Sequence, residues 1–181
     1  MQSVEPVSSK TEPQVPKLII VMGVSGCGKS TVGKQLADGL GYEFIEADDF
    51  HSVAAKQQMA NGIPLTDSMR EPWLERLTQH LGKGKLVDSV LAYSGLRRRH
   101  RQLFRELGFN TLFIHLTAEI DTISHRMSQR EGHFMPESML VSQFSAMELP
   151  KAEPDMISLD VSADLQHICR CTGGCCFNVA C

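Results

Sequence analysis

Short apolar runs alternate along this chain with segments whose apolar residues recur every three or four positions. Leu18-Ile-Ile-Val-Met22 is a continuous apolar run, the pattern of a strand buried on both faces. Val32, Leu36 and Leu40 follow at i, i+4 and i+8, which predicts a helix that Gly39 and Gly41 terminate. Residues 43–46 predict a short second strand. A helix is expected over 52–60, closed by the turn Asn61-Gly62. Residues 71–81 read as a helix with Pro72 in its first turn, where a missing N–H costs nothing. The pattern then predicts a strand over 86–93, a helix over 96–107 and a strand over 111–116. Helices over 119–131 and 136–147 and a fifth strand over 156–161 complete it.

Strand and helix alternate almost throughout, which predicts an α/β fold with a parallel sheet and right-handed crossovers. Ligands in such sheets gather at the carboxyl ends of the strands. Those ends are therefore the places to look for chemistry. A chain of 181 residues suits one domain. Three regions are expected: a disordered leader over 1–16, a single domain over 17–168, and an irregular tail over 169–181. The leader is polar, carries three prolines and has no apolar core of a secretory signal. No stretch reaches the length of a membrane-spanning helix, so a cytoplasmic location with no membrane partner is expected. A net charge of −3 supplies no basic field for nucleic acid. Five of the six cysteines crowd 169–181, in no spacing typical of structural zinc, and break off the helix expected after the fifth strand.

After the first strand, Gly23-Val-Ser-Gly26-Cys-Gly28-Lys29-Ser30 reads G-x-x-x-x-G-K-S, the phosphate-binding P-loop pattern in its strand-to-helix setting. Glycines let backbone N–H groups turn inward as an anion nest. Gly23, Val24, Ser25, Gly26, Cys27, Gly28, Lys29, Ser30 and Thr31 are the expected nucleotide-binding residues. Lys29 reaches the β- and γ-phosphates, and the Ser30 hydroxyl serves Mg²⁺. The helix that begins here points its positive end at the anion. Cys27 is expected to lend its backbone, and a thiol among phosphate-binding cations is expected to be sensitive to oxidation.

After the second strand come Glu46, Asp48, Asp49 and His51. Carboxylates here suit the Mg²⁺ shell or the acceptance of a proton from an acceptor hydroxyl. Asp48 is the candidate base. For Asp49, capping of the next helix and a part in the site remain equal alternatives. After the third strand, Arg97, Arg98, Arg99, Arg101 and Arg105 fall within nine positions. Arg97 lies nearest the strand end and suits an anionic substrate group, since a guanidinium pairs with a carboxylate bidentately. The other four are expected at the surface. Arg126 and Arg130 share one helix face before Gly132-His-Phe-Met-Pro136, an arrangement suited to a lid bringing charge to a transferring phosphate. The single tryptophan, Trp73, reads as a packing anchor. His51 and His133 lie within motif segments and suit contacts to sugar hydroxyls.

Together these segments resemble the gluconokinase family. The resemblance rests on Met22–Gly33, Ala47-Asp-Asp-Phe-His51, Gly62-Ile-Pro-Leu-Thr-Asp67, Arg70-x-Pro-Trp-Leu74, Tyr93-Ser-Gly-Leu-Arg97-Arg98, Gly132-His-Phe-Met-Pro136, Ser142-Gln-Phe144 and Glu148-Leu-Pro150. It implies a P-loop kinase fold like that of nucleoside-monophosphate kinases: three layers α/β/α, a five-stranded parallel sheet and a helical lid. It implies ATP-dependent phosphorylation of the 6-hydroxyl of D-gluconate to 6-phosphogluconate, with Mg²⁺, by a cytoplasmic homodimer. Lys29, Asp48, Arg126 and Arg130 are then the catalytic candidates. Asp48, Asp49, His51, Arg97 and His133 are the substrate candidates, and Ser30 and Glu46 the metal candidates. The chain departs from the family pattern at Glu46, usually Asp, and at Gly95-Leu-Arg97, usually Ala-Leu-Lys. Two alternatives stand beside this reading: a related kinase of shikimate or another polyol acid, and a nucleotide-binding protein that has lost catalysis.

Overall fold

The first apolar run forms β1 (Lys17–Met22) at the centre of a five-stranded sheet, in a computed structural model that describes residues 14–129, 138–149 and 153–162. The other strands are β2 (Glu43–Glu46), β3 (Ser89–Ala92), β4 (Asn110–Thr117) and β5 (Met156–Asp160). All pairings are parallel, in the order β2-β3-β1-β4-β5. Between them run α1 (Lys29–Leu40), α2 (Val53–Ala60), α3 (Asp67–Gly82), α4 (Arg98–Arg105), α5 (Ile120–Ser128) and α6 (Ser138–Ala146). No helix among the described residues is long and apolar enough to cross a membrane.

Alternate residues of β1 enter two separate cores, which explains its unbroken apolar run. Ile19 and Val21 pack with Val32 and Leu36 of α1, Ile123 and Met127 of α5, and Leu140 of α6. Leu18, Ile20 and Met22 pack on the other face with Trp73, Leu74 and Leu77 of α3 and Phe104 of α4. Two helix layers therefore sandwich the sheet, as the α/β/α expectation requires.

Element boundaries differ from the expected ones where side chains from distant segments intervene. The third strand starts at Ser89, because Asp88 turns out to accept the Lys17 N–H at 2.7 Å. The third helix starts at Asp67, because the Thr66 hydroxyl caps the Met69 N–H. Pro72 consequently lies inside the helix and not in its first turn. The fourth helix is shorter than predicted and starts at Arg98, whose N–H is capped at 2.7 Å by Glu148. That hydrogen bond, against a small cost of burial, holds the Glu148 carboxyl below its usual range, as expected of a carboxylate at a helix N-terminus.

The arginine run corrects the sequence reading most. Arg101 and Arg105 are not surface residues: Arg101 is wholly buried and donates to both Glu153 carboxylate oxygens, from Nε at 3.1 Å and Nη2 at 2.5 Å. It also donates to the carbonyls of Gly95 at 2.7 Å and Glu148 at 3.2 Å. Arg105 bridges Glu153 at 2.6 Å and Asp155 at 2.7 Å, with its guanidinium over the Phe113 ring. Burial would raise the Glu153 carboxyl, but the two arginines outweigh it and bring it down to about 2. Arg98 and Arg99 are exposed, as expected.

Candidate active site

The cleft lies at the carboxyl ends of β1, β2 and β3, and the glycine loop forms one wall. Gly23 takes φ +143°, and a Cβ there would stand 2.6 Å from the Leu116 carbonyl oxygen. Gly26 takes φ +82° and sits against α5, where a Cβ would meet Met127 Cγ at 2.6 Å. Any side chain at either position strains the backbone and displaces a neighbour. The loop closes through a turn from Cys27 N to the Val24 carbonyl at 3.4 Å, and Gly23 N ties it to the Ser94 carbonyl after β3. Lys29 Nζ donates to the Val24 carbonyl at 2.9 Å.

Cys27 is fully buried, and desolvation raises its thiol above the ordinary value despite Lys29 nearby. A protonated, enclosed thiol is a poor nucleophile, so the expected oxidation sensitivity is not supported. The residue contributes its backbone and its small volume.

Glu46 ends β2 with its partly buried carboxyl beside the Ser30 side chain. Burial raises the Glu46 carboxyl, the Ser30 hydroxyl lowers it, and Asp48 raises it again. The two metal candidates thus meet, the longer Glu46 side chain spanning to the exposed Ser30. A hydroxyl and a partly desolvated carboxylate are hard oxygen donors of the kind Mg²⁺ takes beside substrate phosphates.

Asp48 and His51 lie on a 3-10 turn (Ala47–Phe50) and its exit, an element the sequence pattern does not predict. Two residues of α3 hold this turn. Trp73 Nε1 donates to the Ala47 carbonyl at 2.7 Å, and Arg76 Nε to the Phe50 carbonyl at 2.9 Å. The His51 ring stacks on Trp73 at 4.1 Å between centroids, 16° from parallel. Its Nε2 stands 3.8 Å from Asp48 Oδ1, and its buried Nδ1 has no partner among the described residues. Desolvation pulls the imidazole down to about 4 against the pull of Asp48, so it is neutral at physiological pH. Trp73 is therefore the anchor it was expected to be, and its anchoring positions the site.

Ser52 caps the next helix through its own side chain, so neither Asp48 nor Asp49 serves as that cap. Lys29, Asp48 and His51 line one cleft together with Ser25, Arg70 and Ser94. Asp49 is exposed and lies outside that lining. Arg97 stands at the rim, 3.3 Å from Glu148 and 3.8 Å from Asp67, and does not line the cleft. The guanidinium that does belongs to Arg70, which also pairs with Asp67 at 3.1 Å. Sequence reasoning missed Arg70, although it sits within the Arg-Glu-Pro-Trp segment that was read for its tryptophan. Arg126 lies on α5 and donates to the Val161 carbonyl at 2.6 Å. Arg130 and His133 lie outside the described residues, as does the cysteine-rich tail.

A family model described as an AAA domain matches residues 18–150. The chain is 39% identical over 153 residues to the thermosensitive gluconokinase of Escherichia coli, covering 82% of this chain and 81% of that protein. The chain belongs to the gluconokinase family. A probable gluconokinase of Xenopus tropicalis is 38% identical over 168 residues, with 83% of this chain and 88% of the relative covered. Among solved structures, a gluconokinase from Sinorhizobium meliloti superposes with a TM-score of 0.77 at 38% identity. That match covers 87% of this chain and 90% of the other. Family membership makes this a kinase with a nucleotide-binding P-loop.

Proposed function

We propose that the chain is a gluconokinase, transferring the γ-phosphoryl group of ATP to the 6-hydroxyl of D-gluconate to give 6-phospho-D-gluconate and ADP. The observation that carries this reading is that Lys29, Asp48, His51 and Arg70 line one cleft beside the glycine loop. The loop amides and Lys29 hold the donor phosphates. Mg²⁺, held through Ser30 and Glu46, would supply charge neutralisation at the phosphates. Asp48 accepts the proton of the 6-hydroxyl as its oxygen bonds to the γ-phosphorus and the bond to the ADP oxygen breaks. Neutral His51 offers Nδ1 to a sugar hydroxyl, and Arg70 suits the gluconate carboxylate. In this reading Asp49 and Arg97 assist from the rim, while Arg126, Arg130 and His133 act from the lid side. A cytoplasmic homodimer belongs to the same proposal.

ADP release measured with ATP and Mg²⁺ against gluconate, shikimate and AMP in parallel tests it. Turnover on gluconate alone is the expected result. Turnover on shikimate would favour the related-kinase alternative, and ATP binding without turnover would favour a protein that has lost catalysis.

A further inference from the structure

Gln143, the middle residue of the Ser142-Gln-Phe144 segment, has no part in the mechanism above, yet it touches the phosphate loop directly. Its side-chain oxygen accepts the Ser25 N–H at 2.6 Å. That N–H belongs to the peptide unit joining Val24 to Ser25. The carbonyl of the same unit accepts both Cys27 N and the Lys29 amine. Because a peptide unit is planar, tilting its N–H also tilts its carbonyl. A group that fixes the Ser25 N–H therefore fixes the acceptor on which Lys29 rests.

The rest of the surroundings suit this role. Ser25 and Gly26 form the corner of the turn, and the positive φ of Gly26 marks a segment short of steric restraint. From one side α5 braces the corner through Ile123 and Met127. Gln143 holds it from α6, which is rooted in the core by Leu140 and Phe144. Gln143 also lines the cleft that contains Asp48 and Lys29.

We propose that Gln143 is a positioning residue for phosphoryl transfer, acting through the Val24–Ser25 peptide on Lys29. This rests on the gluconokinase reading. Losing one neutral hydrogen bond costs about 0.5–1.5 kcal/mol, or roughly three- to tenfold in rate if it is realised in the transition state. A misaimed Lys29 also leaves the γ-phosphoryl group less well aligned with the sugar hydroxyl. Water then competes as acceptor, yielding ADP and inorganic phosphate.

The test compares wild type with Gln143→Ala and Gln143→Met, the second preserving length and packing without an acceptor. kcat, thermal midpoint and the ratio of ADP to phosphogluconate formed are measured for each. The expected result in both variants is a kcat lower by about three- to tenfold, with a raised ADP-to-phosphogluconate ratio at an unchanged midpoint. Wild-type kcat and ratio in Gln143→Met would overturn the proposal. So would a lowered midpoint with unchanged kcat per folded enzyme, which marks a structural role only. If wild type itself does not phosphorylate gluconate, the functional reading falls and this inference with it.

Discussion

Glu153→Gln is the sharpest test of the electrostatics beneath the site. The substitution keeps the shape of the side chain but removes the charge that faces buried Arg101 and half-buried Arg105. In the folded chain the Glu153 carboxyl falls from 4.5 to about 2. Because this folded value lies below the unfolded one, its contribution is complete above about pH 4.5 and fades as pH falls toward 2. A difference of that size corresponds to about 3 kcal/mol at neutral pH. The expected loss in Glu153→Gln at pH 7 is therefore about 3 kcal/mol, or roughly 6–12 °C in thermal midpoint for a chain of this size. Urea denaturation of both proteins at pH 7, 5, 4 and 3 provides the measurement. The gap should hold between pH 7 and 5, then narrow by up to about 1.4 kcal/mol per pH unit below 4.5. A gap under about 1 kcal/mol at pH 7, or one that stays constant down to pH 3, would refute the reasoning.

Four further substitutions address the chemistry. Asp48→Asn should lower kcat at least about a hundredfold while leaving ATP affinity within about threefold, the signature of a lost general base, and Lys29→Ala should lower kcat and ATP affinity together; near-normal kcat in Asp48→Asn would remove Asp48 from the mechanism. Arg70→Met should raise KM for gluconate by roughly ten- to a hundredfold with KM for ATP little changed, whereas Arg97→Met should raise it less than about threefold; the reverse order would return the carboxylate contact to Arg97.

The sheet was legible because its signals are local. A buried parallel strand must be apolar on both faces, and Leu18–Met22 says so within five residues. The glycine loop is equally local, since its function requires particular residue types at consecutive positions. The start of the third helix was harder to read. Pro72 looked like a first-turn residue, but the Thr66 cap begins the helix at Asp67. Proline preference is a statistical signal, whereas a formed cap satisfies an otherwise orphaned N–H, and the cap decides.

The illegible parts of the site share one physical cause. Five arginines in a run have the composition of a solvated helix face, and their charge alone predicts exposure. Arg101 is buried nonetheless, because Glu153 meets it from 52 residues away and the Gly95 and Glu148 carbonyls take two more of its donors. Those same carbonyls belong to segments that frame the cleft: Gly95 follows Ser94, and Glu148 caps α4 and pairs with Arg97. The pairing with Glu148 holds Arg97 at the rim, whereas Arg70, although paired with Asp67, lines the cleft. A sequence shows which residues are able to bind an anion. Which of them lines the cleft depends on where partners from distant segments hold them, and that is a property of the fold.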